Sequence, residues 1–314
     1  MRGEDWSKTA TAAARTDWRW VATMVVAGVY ALYARCQRWR FMLERASKRR
    51  LPMAPIFSAS AIGFMANMVL PFRVGEAARP YLVTRHTGIS LSTAVASVVL
   101  ERIFDLFALF TFGLWVVSSA EVPPIVTRLT WVAGGIILAM FGGILLVHFN
   151  RKRLLPLVDR VWLMLPPAIG ARLMHVEHEF LDALAIIANA AALATMLVWS
   201  LYVWLVIAVT FSFGLLALGL DVPFLPGGVS VTTLVALAVS VPGAPGFVGQ
   251  FEWGCKLALE QIYAVPGDEA LAYSVVVHAV QWTTQVVLGL VYLVREGLSL
   301  TELERMPTEA SEHP

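Results

Sequence analysis

Glu101, Arg102 and Asp105 stand inside the apolar run of residues 93–119. An ionised side chain at the centre of a bilayer costs roughly 2.5–3.5 kcal/mol on insertion scales. Three of them so close together must face protein or water rather than lipid. Glu101 and Asp105 are four apart and share a helix face. Two carboxylates there repel unless arginines pair with them or one of them holds a proton. Arg102, on the neighbouring face, and Arg73 or Arg79, from an earlier segment, are the candidate partners. Two readings stand side by side: a polar lining for a headgroup or proton relay, and a buried ion cluster that locks helices together.

Two further stretches carry residue types suited to anions. The first runs Asn67-Met-Val-Leu-Pro71-Phe-Arg73-Val-Gly75-Glu76-Ala-Ala-Arg79-Pro80. Pro71 ends a helix because it lacks an N–H and clashes with the preceding turn, and Gly75 permits a backbone bend. If a helix restarts near Gly75, Glu76 lies at its favoured N-terminal end and Arg79 follows three residues on. Arg73 and Arg79 present forked donors that match phosphate. The plainer account is a juxtamembrane loop with a surface ion pair. The second stretch runs Val241-Pro-Gly243-Ala-Pro245-Gly246-Phe-Val-Gly249-Gln-Phe-Glu252. Its prolines and glycines cannot continue a helix. One restarting near Phe247 would aim backbone N–H groups at an anion, unless the stretch is an ordinary external loop. Glu252 follows Gly249 much as Glu76 follows Gly75, in looser form. His278, Gln281 and Gln285 form a polar stripe at i, i+3, i+7, which either lines the interior or serves as interhelical hydrogen-bond glue.

The elements that must position these residues are membrane helices. The 314 residues are 58% hydrophobic and 15% charged, against about 25% charged in a soluble domain, and mean hydropathy is +0.69. The pattern predicts an all-α polytopic membrane protein with spans at 18–34, 93–119, 130–149, 190–219 and 272–295. Segments 53–71 and 228–254 are apolar but broken by Pro and Gly. Residues 35–50 hold seven Lys/Arg against one Glu, and Arg151–Arg153 follow the span at 130–149. Both read as cytoplasmic, as do Arg73, Arg79 and Arg85, while 120–129 and 220–227 read as external. Segment 53–71 would then enter and leave from the cytoplasm and 228–254 from outside. These are two re-entrant hairpins in an inverted-repeat-like arrangement; the alternative is that 53–71 crosses once.

The remaining regions offer less chemistry. Residues 1–17 read as a polar segment without a cleavable signal, 18–295 as the membrane domain, and 296–314 as a disordered cytoplasmic tail. Residues 171–187 place Leu173, Val176, Phe180, Leu184 and Ile187 at helical spacing, an amphipathic surface helix. His175, His178 and Glu179 on it read as its polar face rather than a metal site. Cys36 and Cys255 have no metal-type spacing. No cofactor or metal is called for, and no triad, Walker loop or HExxH appears. The basic stretch 35–50 fits anionic lipid better than nucleic acid.

Four motifs in order carry a resemblance: Arg38-Trp39; Asn67 through Pro71, Arg73, Gly75 and Glu76 to Arg79; Glu101-Arg102-Ile-Phe-Asp105; and Pro242-Gly-Ala-Pro245-Gly246-Phe-Val-Gly249-Gln-Phe-Glu252. Over roughly 20–295 the chain resembles the lysylphosphatidylglycerol synthase transmembrane-domain family, also called flippase-like or UPF0104. The resemblance implies a bacterial inner-membrane protein that moves or handles a lipid, an anionic phospholipid or a polyprenyl-phosphate glycolipid. In the family's two-part resistance factors the membrane part flips aminoacylated phosphatidylglycerol and a separate soluble domain makes it. No such domain stands in this sequence, so synthase activity is not expected of it. Arg73, Arg79 and the helix start at Pro245–Gly249 would bind anionic oxygen. Glu76, Glu101, Asp105 and Glu252 would balance the arginines or meet a cationic group, and the lipid tail would stay in the bilayer. A membrane-embedded transferase and a non-transporting scaffold for an envelope-lipid enzyme are the alternatives, and a homo-oligomer is compatible with each. The chain departs from the family in three places. Members usually carry one more helix before residue 18, read Pro-Gly-Gly where Phe247 follows Pro245-Gly246, and place an Arg early in the last helix, in the region of His278.

Overall fold

The computed structural model describes residues 6–184, 188–240 and 243–303, and every regular element among them is helical. Helices start where short polar side chains can accept an orphan backbone N–H. Asp17 caps Trp18–Ser47 (α2), which follows the short α1 (Trp6–Ala14), and accepts from the Arg19 N–H. Ser90 caps Leu91–Ser119 (α5) and Asn189 caps Ala190–Ala217 (α9) in the same way. Between α2 and α5 lie α3 (Met53–Val69), a 3-10 turn (Pro71–Arg73) and α4 (Val74–Thr87). After α5 come α6 (Pro124–Phe149), α7 (Arg151–Trp162) and α8 (Pro167–Leu184). After α9 come α10 (Phe224–Ser240), a 3-10 turn (Pro245–Phe247), α11 (Gln250–Tyr263) and α12 (Gly267–Arg295).

The chain repeats itself. Helices α2 to α5 have 30, 17, 14 and 29 residues, and α9 to α12 have 28, 17, 14 and 29. Each half folds its second and third helices into a hairpin over a three-residue 3-10 turn. The open ends of the first hairpin come together, with Arg49 Nη1 donating to the Gly88 carbonyl at 3.5 Å. The halves exchange partners: α3 packs on α12, α10 packs on α5, and α2 packs on α9. Helices α6 to α8 are inserted between the two units.

Helices α6, α9 and α12 are long and apolar enough to cross a membrane. Leu138 and Phe149 of α6 are each 76% exposed, which is the disposition of side chains meant for lipid. Helices α2 and α5 have comparable length, about 45 Å at 1.5 Å per residue, but carry charge. Helices α3 and α10, at 17 residues each, reach about 25 Å, short of the roughly 30 Å hydrocarbon layer.

The largest departure from the sequence reading concerns 35–50. This stretch does not lie outside the bundle as a basic loop: α2 runs unbroken to Ser47. Arg38 and Trp39 are fully buried, because α2 turns them toward α5 and α9. Nor is the start of the tail loose, since Leu303 is fully buried with Leu298 and Leu300 packed near it. Residues 304–314 lie outside the described residues, as do Ile187 of the amphipathic pattern and the Val241-Pro242 dipeptide. Helix α7, not anticipated from sequence, has no buried residue and exposes Leu157 and Val161. On α8, Val176 is exposed.

Candidate functional site

The two hairpin tips meet. Helices α3 and α4 approach until a Cβ on Gly75 would lie 1.8 Å from the Gly63 carbonyl oxygen, so only glycine fits. Gly75 therefore serves backbone contact rather than the expected bend. The bend sits at Arg73, which holds a left-handed φ of 53°. In the opposing tip Phe247 holds a φ of 60°. These two strained residues face each other: the Arg73 guanidinium stands 5.3 Å from the Phe247 ring centroid and donates to the Val239 carbonyl at the end of α10. Trp282 of α12 closes the contact, its Nε1 donating to the Met68 carbonyl at 3.4 Å. Non-glycine residues in this backbone region cluster where function over-determines geometry.

Behind the first tip lies a cluster of charges. Arg38 reaches Asp105 at 2.7 Å and Glu101 at 3.3 Å. Arg79 reaches Glu101 at 3.0 Å. Arg102 reaches Glu101 at 2.9 Å, Asp105 at 3.4 Å and Glu76 at 3.7 Å. Arg38, Arg79 and Glu101 are fully buried. The surroundings add hydrogen bonds and aromatic contacts to the buried charge, while Nε of Arg38, Arg79 and Arg102 and Oε2 of Glu76 have no hydrogen-bond partner among the described residues. Trp204 Nε1 donates to Asp105 at 2.8 Å and Arg38 donates to the Ser200 hydroxyl at 3.1 Å. The Arg79 guanidinium lies 4.4 Å from the Trp39 ring centroid and 4.9 Å from that of Phe64.

A cavity of about 350 Å³ opens between this cluster and the tips. Arg35, Arg73, Glu76, Arg102, Asp105 and His278 supply its ionisable lining, and α5, α9, α10 and α12 its apolar walls. Arg35 has no carboxylate partner among the described residues. Its guanidinium lies 5.1 Å from the Phe64 centroid and 5.7 Å from that of Trp204. On the far wall His278 stacks on Phe251, centroids 4.3 Å apart. It bonds Glu252 Oε1 through Nδ1 at 2.6 Å and the Gly246 carbonyl through Nε2 at 2.8 Å. A carbonyl only accepts, so Nε2 carries a proton, and a second proton is shared between Nδ1 and Glu252.

The twelve residues singled out from sequence therefore divide. Arg73, Glu76, Arg102, Asp105 and His278 line the cavity. Arg79 and Glu101 lie behind it as mutual counter-charges, and Arg79 turns to Glu101 rather than to Glu76. Arg73 pairs with no carboxylate of the cluster. Pro245, Gly246 and Gly249 shape the second tip without lining the cavity. The helix start there is not an open anion site: α11 begins at Gln250, and the Gly249 N–H donates to Glu252 Oε2 at 2.6 Å. Glu252 is consumed by this backbone N–H and by His278, so it balances no arginine. Arg35 escaped the sequence reading, and Arg38 entered it only as part of the Arg38-Trp39 motif and not as a site residue, because basic residues at a span end normally mark its edge. Their i, i+3 spacing, which puts both on one face of α2, was the available signal.

A helical multi-pass membrane protein with a polar, arginine-lined cavity between two broken hairpins is the class that these observations define. The family described as the lysylphosphatidylglycerol synthase TM region matches residues 1–289, and the chain belongs to it. Among curated proteins, one described as "Glycosyltransferase AglD", of Haloferax volcanii, is 28% identical over 312 residues. The match covers 90% of this chain and 49% of the relative, so the chain spans about half that protein's length. No solved structure matches.

Proposed function

We propose that this protein is a lipid flippase or transporter of the plasma (inner) membrane that draws a phosphate-bearing headgroup into the cavity between its hairpin tips. On this reading the hairpins re-enter from opposite faces, and the tips form the barrier between the two sides. The observation that carries the reading is a pair of arginines without carboxylate partners, Arg35 and Arg73, facing a cavity of about 350 Å³ in a membrane family. Charge so placed is expensive, and a headgroup of opposite sign offsets it. The Glu101 cluster forms the rigid floor that orients Arg102 and Asp105 toward the headgroup.

Proteoliposomes test this. Wild type speeds the movement of a fluorescent anionic lipid between leaflets, measured by reductant quenching. Arg73→Ala lowers that rate about tenfold or more, as loss of a charged hydrogen bond implies. An unchanged rate in Arg73→Ala removes the site, and no acceleration by wild type removes the function. The relative's name supports a second reading, a membrane-embedded transferase acting on a lipid-linked substrate, in which Asp105 would serve as base at the cavity wall. Product formed from a nucleotide-sugar by the purified chain would favour it.

A further inference from the structure

We infer that the headgroup taken by this cavity is a dianion, a phosphate monoester or diphosphate, rather than a phosphodiester or a cationic aminoacylated group. The inference rests on the cavity reading above and narrows it to a substrate class.

The argument is a count of charge. Arg38, Arg79 and Arg102 are joined to Glu76, Glu101 and Asp105 by contacts of 4 Å or less. Three cations meet three anions, and the cluster closes near neutrality. The His278–Glu252 pair is likewise neutral, because its shared proton leaves either two neutral groups or one of each sign. Two cations remain at the cavity, Arg35 and Arg73, and neither has a carboxylate within 4 Å among the described residues. Their neighbours are aromatic faces, Phe64 and Trp204 for Arg35 and Phe247 for Arg73. A ring face attracts a cation without cancelling its charge. The cavity therefore keeps two positive charges. A phosphodiester neutralises one of them and a monoester or diphosphate both, whereas a cationic headgroup adds a third. Guanidinium forks also suit a terminal phosphate, which has more free oxygens than a diester.

The test uses the full chain in nanodiscs and calorimetric titration at about pH 8, above the second phosphate pKa of about 6. The probes are short-chain phosphatidic acid (a monoester), short-chain phosphatidylglycerol (a diester) and inorganic phosphate (a soluble dianion). Phosphatidic acid is expected to bind about tenfold or more tightly than phosphatidylglycerol, the effect of one additional charged contact. Arg35→Gln and Arg73→Gln each erase most of that preference, and Arg35→Lys, which keeps the charge, retains it. Equal affinity for the two lipids overturns the dianion while leaving the lipid cavity standing. Loss of the preference in Arg35→Lys overturns charge as its cause. Inorganic phosphate binding as tightly as phosphatidic acid keeps the dianion but assigns it to a soluble source, overturning the lipid reading. No binding by any probe overturns both.

Discussion

Glu101 is the anchor of the site at the scale of residues, since three arginines converge on it. Removing one partner of a buried ion pair leaves uncompensated charge and costs about 3–5 kcal/mol. Glu101→Ala should therefore lower the thermal midpoint of the purified protein sharply, so lost transport in that variant would report folding rather than binding. A midpoint within a degree or two of wild type would contradict the buried cluster. Phe247 offers a finer test. Its left-handed backbone costs about 1–2 kcal/mol, while its ring holds the Arg73 guanidinium. Phe247→Ala loses the ring and keeps the strain, whereas Phe247→Gly loses the ring and sheds the strain. The glycine variant should be the more stable by about 1 kcal/mol, and the reverse order would contradict the assigned backbone.

At the scale of elements the two hairpins define the molecule, and glycine decides how closely each closes. A Cβ at Gly75 meets the Gly63 carbonyl at 1.8 Å, so Gly75→Ala must push α4 away from α3. Overpacking of this kind typically costs about 1–3 kcal/mol, and thermal unfolding of the solubilised variant would measure it. In the second hairpin, Glu252→Ala removes the acceptor of the Gly249 N–H and the His278 contact together. Loss of a cap alone costs about 1 kcal/mol. Re-entry itself is open to topology mapping. Single cysteines at Lys48 and Gly88, the two ends of the first hairpin, should label from one face of intact vesicles. Cysteines at Gly219 and Ala264, flanking the second, should label from the other. Labelling of positions 48 and 88 from opposite faces would make α3–α4 a crossing and dismiss re-entry.

For the whole molecule, the reciprocal pairing of α3 with α12 and α10 with α5 ties each hairpin to the last long helix of the other half. If the protein moves lipid as proposed, opening the cavity toward one side requires the halves to rock against each other and the tips to part. Cysteines at Met68 and Trp282, joined by a short thiol cross-linker, should hold the tips together and halt lipid movement. A reductant-cleavable linker should restore it on cleavage. Unimpaired transport in the cross-linked protein would show that the tips are not the barrier.

Composition and periodicity were enough to identify an all-helical membrane chain, most of its long helices, its two broken segments and the charges that bilayer energetics would not leave in lipid. Those features are local: they follow from side-chain transfer free energies and from the backbone of Pro and Gly. The continuation of α2 through its basic stretch, the service of Gly75 in contact rather than bending, and the capture of Glu252 by His278 were not local. Each depends on which atoms another helix brings within 4 Å. The same holds for Arg35 and Arg73, which look like any span-edge arginines along the chain. Only packing shows that every nearby carboxylate is already engaged elsewhere, because charge compensation is decided by distance in space and not by separation in sequence.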